Sequence, residues 1–410
     1  MSVECDAVVV GAGVAGLTAA KHITAAGRDV VVLEQASAAG GRISTDRVDG
    51  FLLDRGFQLL NPAYPAAQRN LDLAALQLQS FPKGARIGVP ATVLSLSAFS
   101  PQSWYRLARG KVASVRGLSA LVRYALRCGW SEPARLRQRP DLPLGATLRE
   151  HGVDDATLTE VAYPFLAGVF GQDDPGAVSR NYADFVLRSF VRGRPAVPSQ
   201  GMQAIPDQLA SSSAGALRYD SPVRRLTSQG VHTDDEEFRC RAVVLATDAA
   251  SATALLPSLR PRPMNDLTTW YFTSGTEVPY RELIVAPADS MLCNIAVMTN
   301  TAPTYSADGR ALIAASAVGL WPTGEAAELA REQTAVLLDL AANELAEIAR
   351  YPIPGALPRF DSPRPSADPL RNPLLHDGVY VIGDHQDTPS IQGAMVSGER
   401  GAAAVLAALG

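Results

Sequence analysis

Val8-Val9-Val10-Gly11-Ala12-Gly13-Val14-Ala15-Gly16 runs an apolar strand pattern straight into a glycine turn and the start of a helix. A second apolar run, Val30-Val31-Val32-Leu33, ends in Glu34, 18 residues after Gly16. Strand, turn, helix, strand and acid in that order predict a βαβ unit built to hold a dinucleotide. Each glycine has its own job: Gly11 permits the tight turn, Gly13 lets the backbone approach a pyrophosphate, and Gly16 lets the helix lie close to the strand. Glu34, followed by Gln35, stands where a carboxylate accepts hydrogen bonds from a ribose.

Three further stretches narrow the reading. Gly40-Gly41-Arg42 leads through Asp49-Gly50-Phe51 to Asp54-Arg55-Gly56-Phe57-Gln58; Ser221-Pro222-Val223 precedes Ala242-Val243-Val244-Leu245-Ala246-Thr247-Asp248; and Val379-Tyr380-Val381-Ile382-Gly383-Asp384 is followed by Ser390-Ile391-Gln392-Gly393-Ala394-Met395 and an Ala-rich helix. With these the chain resembles the flavin-containing amine oxidase superfamily, which includes amine oxidases, protoporphyrinogen oxidases and phytoene desaturase-like enzymes. The resemblance touches residues 8–62, about 200–250 and 378–405. It implies that Gly40 and Gly41 let a loop pass close to FAD, that Arg42 lies against the phosphates, and that Val223 brackets the adenine. It also implies that Asp384 binds the ribityl or phosphate region, and that the amides opening the last helix, at Gln392, Gly393 and Ala394, face the flavin ring. An arginine suits phosphate because its planar fork makes charge-assisted hydrogen bonds. A helix N-terminus suits a ring that gains negative charge. The expected cofactor set is therefore Gly11 to Gly16, Glu34, Gln35, Gly40, Gly41, Arg42, Gly56, Phe57, Gln58, Val223, Gly383, Asp384, Gln392, Gly393 and Ala394.

The expected fold is α/β, a Rossmann-type FAD-binding domain carrying an inserted α+β substrate domain. A chain of 410 residues exceeds a single hydrophobic core. The cofactor segments are far apart in sequence, which places residues 1–62, 200–260 and 360–410 in the FAD-binding domain. Residues 63–199 and 261–359 then form the substrate domain. The first insert reads as mostly helical, for example from Gly117 to Cys128. The second reads as strands over 281–286, 291–298 and 311–318, then a helix over 324–350.

Cys5, Cys128, Cys240 and Cys293 make no CxxC pair and no metal spacing with the five histidines. They read as reduced thiols of a cytoplasmic protein, and no metal is expected. The N-terminus lacks a signal-peptide pattern, and no apolar run approaches the ~20 residues of a membrane span. No cysteine follows Cys293, so a cysteinyl-flavin bond has no donor near the C-terminal motif, and the FAD is expected to be non-covalent. Only one complete GxGxxG is present, which favours an organic substrate over a nicotinamide as hydride donor.

Lysine use separates the subtypes. The chain has three lysines, Lys21, Lys83 and Lys111, against 34 arginines. Many amine oxidases of the resembled group place a lysine in the substrate-domain sheet to aid reoxidation by oxygen, and the second insert has none to offer. The expected reaction is removal of a hydride from a largely apolar substrate to flavin N5, of desaturase or dehydrogenase type. The alternative is an amine oxidase that yields imine and hydrogen peroxide, and a third reading keeps FAD as a structural element only. Residues flanking the motifs are the pocket candidates: Arg55, Phe57, Gln58 and Leu59 on one side, His385 and Gln392 on the other. His385 can titrate near neutral pH and is the proton-transfer candidate, with Gln58 and Arg55 beside it. Trp270, Tyr271 and Phe272 open the second insert as cavity lining or as core.

One segment departs from the overall charge of −4. Residues 104–139 hold eight arginines and Lys111 against Glu132 alone, a local charge of +8. Val112, Val115, Leu118, Leu121, Val122 and Leu126 form one helical stripe, with Arg116, Arg123 and Arg127 on another. Two readings follow, a solvated face or peripheral contact with an anionic membrane. Nucleic acid is not expected, because no recognition module accompanies the charge.

Overall fold

A computed structural model describes residues 2–89, 92–96, 112–137, 139–260, 262–363, 372–376 and 378–410. Two large sheets organise it. The first has eight strands, in the order 225–227, 230–232, 237–245, 2–10, 30–33 and 217–218, with 374–376 and 379–381 branching from 237–245. The central pairings, Ser2–Val10 with Glu237–Leu245 and with Val30–Leu33, are parallel, as is Glu237–Leu245 with Val379–Val381. Val30–Leu33 is buried along its whole length, as an all-apolar run must be when both faces of a parallel sheet are covered. Within the first strand, Val9 faces a core shared with Leu17, Ile23 and Val405, and Val8 and Val10 face a second cluster with Leu33, Val243 and Val381.

The second sheet has seven strands, in the order 346–358, 264–274, 311–318, 294–297, 283–285, 85–89 and 92–96. Its long strand Met264–Ser274 pairs antiparallel with both Ala311–Val318 and Ala346–Pro358. Side chains alternate across it. Trp270 and Phe272 pack with Ala330 and Leu337 of helix Gly324–Leu338, whereas Tyr271 joins Val9 and Leu17 in the core of the first sheet. Of the two roles that sequence allowed Trp270, Tyr271 and Phe272, cavity lining or core, the structure shows fully buried core.

Several sequence expectations need correcting. The helix expected to run to Arg350 ends at Leu338, where Asp339 adopts φ 57, and the chain re-enters the sheet at Ala346. The charged pattern of 344–350 reads as helix surface, but it belongs to a strand with an exposed face. The insert expected to be mostly helical also contributes strands Ala85–Val89 and Thr92–Leu96 to the seven-stranded sheet. Its helices Val115–Trp130, Tyr163–Phe170 and Arg180–Arg192 enclose a separate apolar cluster around Tyr124, Leu148, Phe170 and Tyr182. Of the basic segment 104–139, residues 104–111 and 138 lie outside the described residues, Trp104 and Lys111 among them.

Candidate functional site

The glycine turn after Val10 is filled on one side and open on the other. A Cβ on Gly16 would come within 2.0 Å of the Gly11 carbonyl oxygen and 3.0 Å of the Ala246 Cβ, and Gly11 itself has φ +105. These two positions hold the helix Val14–Ala25 against the strand and tolerate no side chain. A Cβ on Gly13 would meet nothing within 4 Å. Gly13 is also the N-cap of that helix and supplies no capping side chain, so the first amides lack intrahelical and side-chain partners. Gly40 and Gly41 pass directly over this space. The Gly40 N–H donates to the Ala12 carbonyl at 2.9 Å, and Gly41, with φ +60, brings its Cβ position 3.7 Å from Gly13 Cα.

Glu34 closes the end of the second strand. Its buried carboxylate accepts from the Ala12 N–H at 2.7 Å and the Ala36 N–H at 2.9 Å, one on each oxygen. Each oxygen keeps a further lone pair with which to accept a hydroxyl. The Ser221 N–H donates to the Glu34 carbonyl at 2.8 Å, which sets Ser221-Pro222-Val223 beside the acid. Gln35 is exposed.

Opposite the turn, a charged pair joins the two ends of the chain. Arg42 Nη2 donates to Asp384 Oδ1 at 2.5 Å, and Arg42 Nη1 donates to the Ala356 carbonyl at 2.9 Å. Burial works against the Arg42 charge, but Asp384 outweighs it and raises the guanidinium above its ordinary value. Gly383 precedes this aspartate with φ +143, and its N–H donates to Ser397 Oγ at 3.0 Å. His385 is buried, and its ring lies against Gly383. Burial pushes its imidazole below the ordinary value; Arg42 and Arg262 push the same way, and Asp384 opposes them. Burial thus favours the neutral ring over the imidazolium.

Gln58 Nε2 donates to the Arg42 carbonyl at 2.6 Å and to the Arg55 carbonyl at 3.2 Å. Its Oε1 is buried with no hydrogen-bond partner, an unmet acceptor on a side chain anchored to the Arg42 backbone. Arg55 points elsewhere: its guanidinium is exposed and forks onto Asp46 with both contacts at 2.9 Å, and Tyr351 Oη donates to the same carboxylate. Only the Arg55 backbone reaches the group around Gln58. The last helix, Ile391–Leu409, is capped by Ser390 Oγ, which accepts from the Gly393 N–H at 3.0 Å. A Cβ on Gly393 would lie 1.9 Å from the Thr388 carbonyl oxygen. Gln392 is buried, and its Oε1 accepts from the Ala66 N–H at 2.9 Å, anchoring the last helix to helix Pro65–Asn70.

Two features were missed from sequence. Asp54, in the stretch that also holds Gly56 to Gln58, is fully buried and accepts from Thr45 Oγ1, the Met202 N–H and Tyr305 Oη. Tyr271 Oη donates to its backbone carbonyl at 2.8 Å, so this one residue ties the small hairpin Thr45–Val48 and Phe51–Asp54 to the seven-stranded sheet. The second feature is a buried polar row on the seven-stranded sheet, Thr269, Ser316 and Asn294, which are register neighbours across three strands. Thr269 and Ser316 are hydrogen bonded at 3.0 Å, the Phe57 N–H donates to Thr269 Oγ1 at 3.4 Å, and Asn294 Oδ1 is buried without a partner. Ser316 and Asn294, each the single polar residue of an otherwise apolar strand, were the available signal. Among the described residues no cluster of histidine, cysteine and carboxylate could hold a metal ion.

The uncapped helix start with space above Gly13, the buried Glu34 acceptor, the Arg42 cation and the unmet Gln58 acceptor fit an anionic dinucleotide carrying a polar ring. The chain is 32% identical over 294 residues to phytoene dehydrogenase of Streptomyces griseus, which covers 63% of this chain and 57% of that protein. It is 28% identical over 247 residues to putrescine oxidase of Kocuria rosea, 56% of this chain and 50% of that one. The matched stretch thus spans about half the length of these curated relatives. Among solved structures, an oxidoreductase from Methanosarcina mazei superposes with a TM-score of 0.76 at 16% identity, covering 99% of this chain and 100% of the other. Cyclohexylamine oxidase from Brevibacterium oxydans gives 0.71 at 15% identity, with 98% of each chain covered. These structural likenesses show a shared mixed α/β fold. The family model for flavin containing amine oxidoreductases matches residues 14–406. Taking in both Arg42 and the Asp384 motif, that match makes the chain a member of the flavin containing amine oxidoreductase family.

Proposed function

We propose that the protein binds one FAD non-covalently and removes a hydride from a largely apolar organic substrate, as a dehydrogenase or desaturase. The observation that carries the reading is the space over Gly13 at an uncapped helix N-terminus, with Gly41 beside it and the next residue, Arg42, held on Asp384. A bound flavin supplies the hydride acceptor, so the protein's share is binding, orientation and proton handling. In this reading the amides after Gly13 and the Arg42 fork hold phosphates, Glu34 holds a ribose, and Gln58 offers its free Oε1 to a ring N–H. His385, neutral and buried, takes the proton that a substrate gives up as the hydride leaves. The division of strands supports a cofactor part from residues 1–62, 200–260 and 360–410 in a Rossmann-type arrangement. All eight strands of the first sheet fall there, and all seven of the second fall in 63–199 and 261–359. The four free cysteines support a reducing, cytoplasmic setting.

An apolar substrate is supported by relatives named phytoene dehydrogenase and carotenoid 3,4-desaturase, and by the absence of lysine from the second sheet's strands. The amine oxidase reading is favoured by one observation, the buried row ending at the unpartnered Asn294 Oδ1, which an amine N–H could satisfy. Anaerobic titration separates the two. Bleaching of the oxidised-flavin band by polyenes or porphyrinogens, and not by a panel of primary and secondary amines, is the expected result. Bleaching by amines with peroxide released in air overturns it.

A further inference from the structure

The helix Val115–Trp130 turns its buried side, Ala120, Tyr124 and Cys128, inward toward helix Arg180–Arg192. Its other side is unusual for a protein surface. Val115, Val122, Leu126 and Trp130 fall within about 80° of one another at ~100° per residue. Val115 is 51% exposed, Leu126 43% and Trp130 85%, the most exposed large apolar side chain among the described residues. Arg116, Arg123 and Arg127 border this stripe along one edge, all exposed. At its C-terminal end Arg188 Nε donates to the Ser131 carbonyl at 2.9 Å, and Arg192 Nη1 donates to the Gly129 carbonyl at 3.3 Å. Among the described residues none of these five arginines pairs with a carboxylate. Residues 112–139 contain six arginines and Glu132 as the sole acid.

An apolar stripe with an exposed tryptophan, edged by cations that no acid among the described residues neutralises, is complementary to an anionic lipid surface: the ring sits at the headgroup level and the arginines meet phosphates. We propose that this helix docks the protein peripherally on anionic bilayers. No described helix is long and apolar enough to cross a membrane, so the contact is with the interface. The docked face is also joined to the site. Helix Arg180–Arg192, on which it packs, carries Tyr182, whose Oη donates at 2.8 Å to the Pro389 carbonyl beside the Ser390 cap. A lipid-dissolved substrate would thus be presented two helices from the Asp384–Ser390 segment.

The test uses the whole flavin-loaded chain and sedimentation with vesicles of phosphatidylcholine alone or mixed with phosphatidylglycerol. Binding to the mixed vesicles at low salt, release at high salt, and little binding to phosphatidylcholine are expected. Arg123→Gln and Arg127→Gln should each lower the partition coefficient about fivefold. Trp130→Ser should lower it as well and remove the tryptophan quenching caused by brominated lipid. An unchanged melting temperature and flavin absorbance would show that these exposed positions leave the fold intact. The proposal is overturned if the chain stays in the supernatant at low salt, or if the variants bind as the wild type does. It is also overturned if gel filtration shows a dimer that Trp130→Ser dissociates while neither form binds vesicles. It does not depend on the identity of the substrate.

Discussion

Gly13 and Gly16 stand three residues apart in one turn and should fail in different ways. A methyl on Gly13 enters open space, so Gly13→Ala should leave thermal unfolding of the flavin-free protein nearly unchanged while weakening FAD binding about tenfold or more, since about 1.4 kcal/mol suffices for that. A methyl on Gly16 meets a backbone oxygen, so Gly16→Ala should cost about 3 kcal/mol of stability with or without flavin. Asp54 makes a pH prediction. Burial pushes its carboxyl up to about 6, whereas in the unfolded chain it titrates near ~4. Between those values the folded chain holds a proton that the unfolded chain has lost. The contribution to stability is therefore full below the window, falls as pH rises through it, and is level above. About two units correspond to roughly 3 kcal/mol, and Asp54→Asn should flatten that slope in a pH series of denaturant melts. For His385, lowered by burial, the acid limb of flavin reduction should lie below the ordinary imidazole value, and His385→Gln should abolish the limb while retaining FAD. The glycines and Glu34 were legible because their roles are fixed by backbone geometry that local sequence encodes. The roles of Asp54 and of the Thr269–Ser316–Asn294 row were not, because each depends on partners up to about 250 residues away.

At the scale of elements, the first and last helices are held at a crossing of small residues. A Cβ on Gly398 would lie 2.5 Å from the Ala15 carbonyl oxygen and 2.9 Å from Thr18 Cβ, and one on Gly401 would lie 2.4 Å from Ile382 Cγ2. Gly398→Val should therefore separate helix Val14–Ala25 from helix Ile391–Leu409, with a loss of about 3 kcal/mol or more and release of flavin on gel filtration. Loss of flavin with an unchanged melting temperature would contradict this packing account. The parallel strands of the first sheet could be read from their unbroken apolar runs, and the amphipathic helix Val115–Trp130 from its period. Strand Ala346–Pro358 could not. Glu347 and Arg350 sit three apart and form an ion pair, a spacing that also suits a helix, and only pairing with Met264–Ser274 selects the extended form.

Across the whole molecule, the two sheets share one core that runs from Val9 and Leu17 to Tyr271 and Ala314. The Arg42–Asp384 pair, which also holds Ala356, and the Asp54 cluster add polar contacts between distant segments. The N-terminal turn, the C-terminal motif and the second sheet are therefore brought together by contacts between distant segments, and the cofactor is expected to stabilise the assembly as it binds. The sequence motifs announced that distant segments come together, as Arg42 and Asp384 do. They did not announce which face of the second sheet is polar, because that follows from register across three strands. The most direct test of the central claim is the flavin content of the purified chain after gel filtration and acid precipitation. About one FAD per chain, recovered in the supernatant and absent from the pellet, is the predicted result. A colourless chain that cannot be reconstituted with FAD, or flavin retained in the precipitated protein, would contradict it.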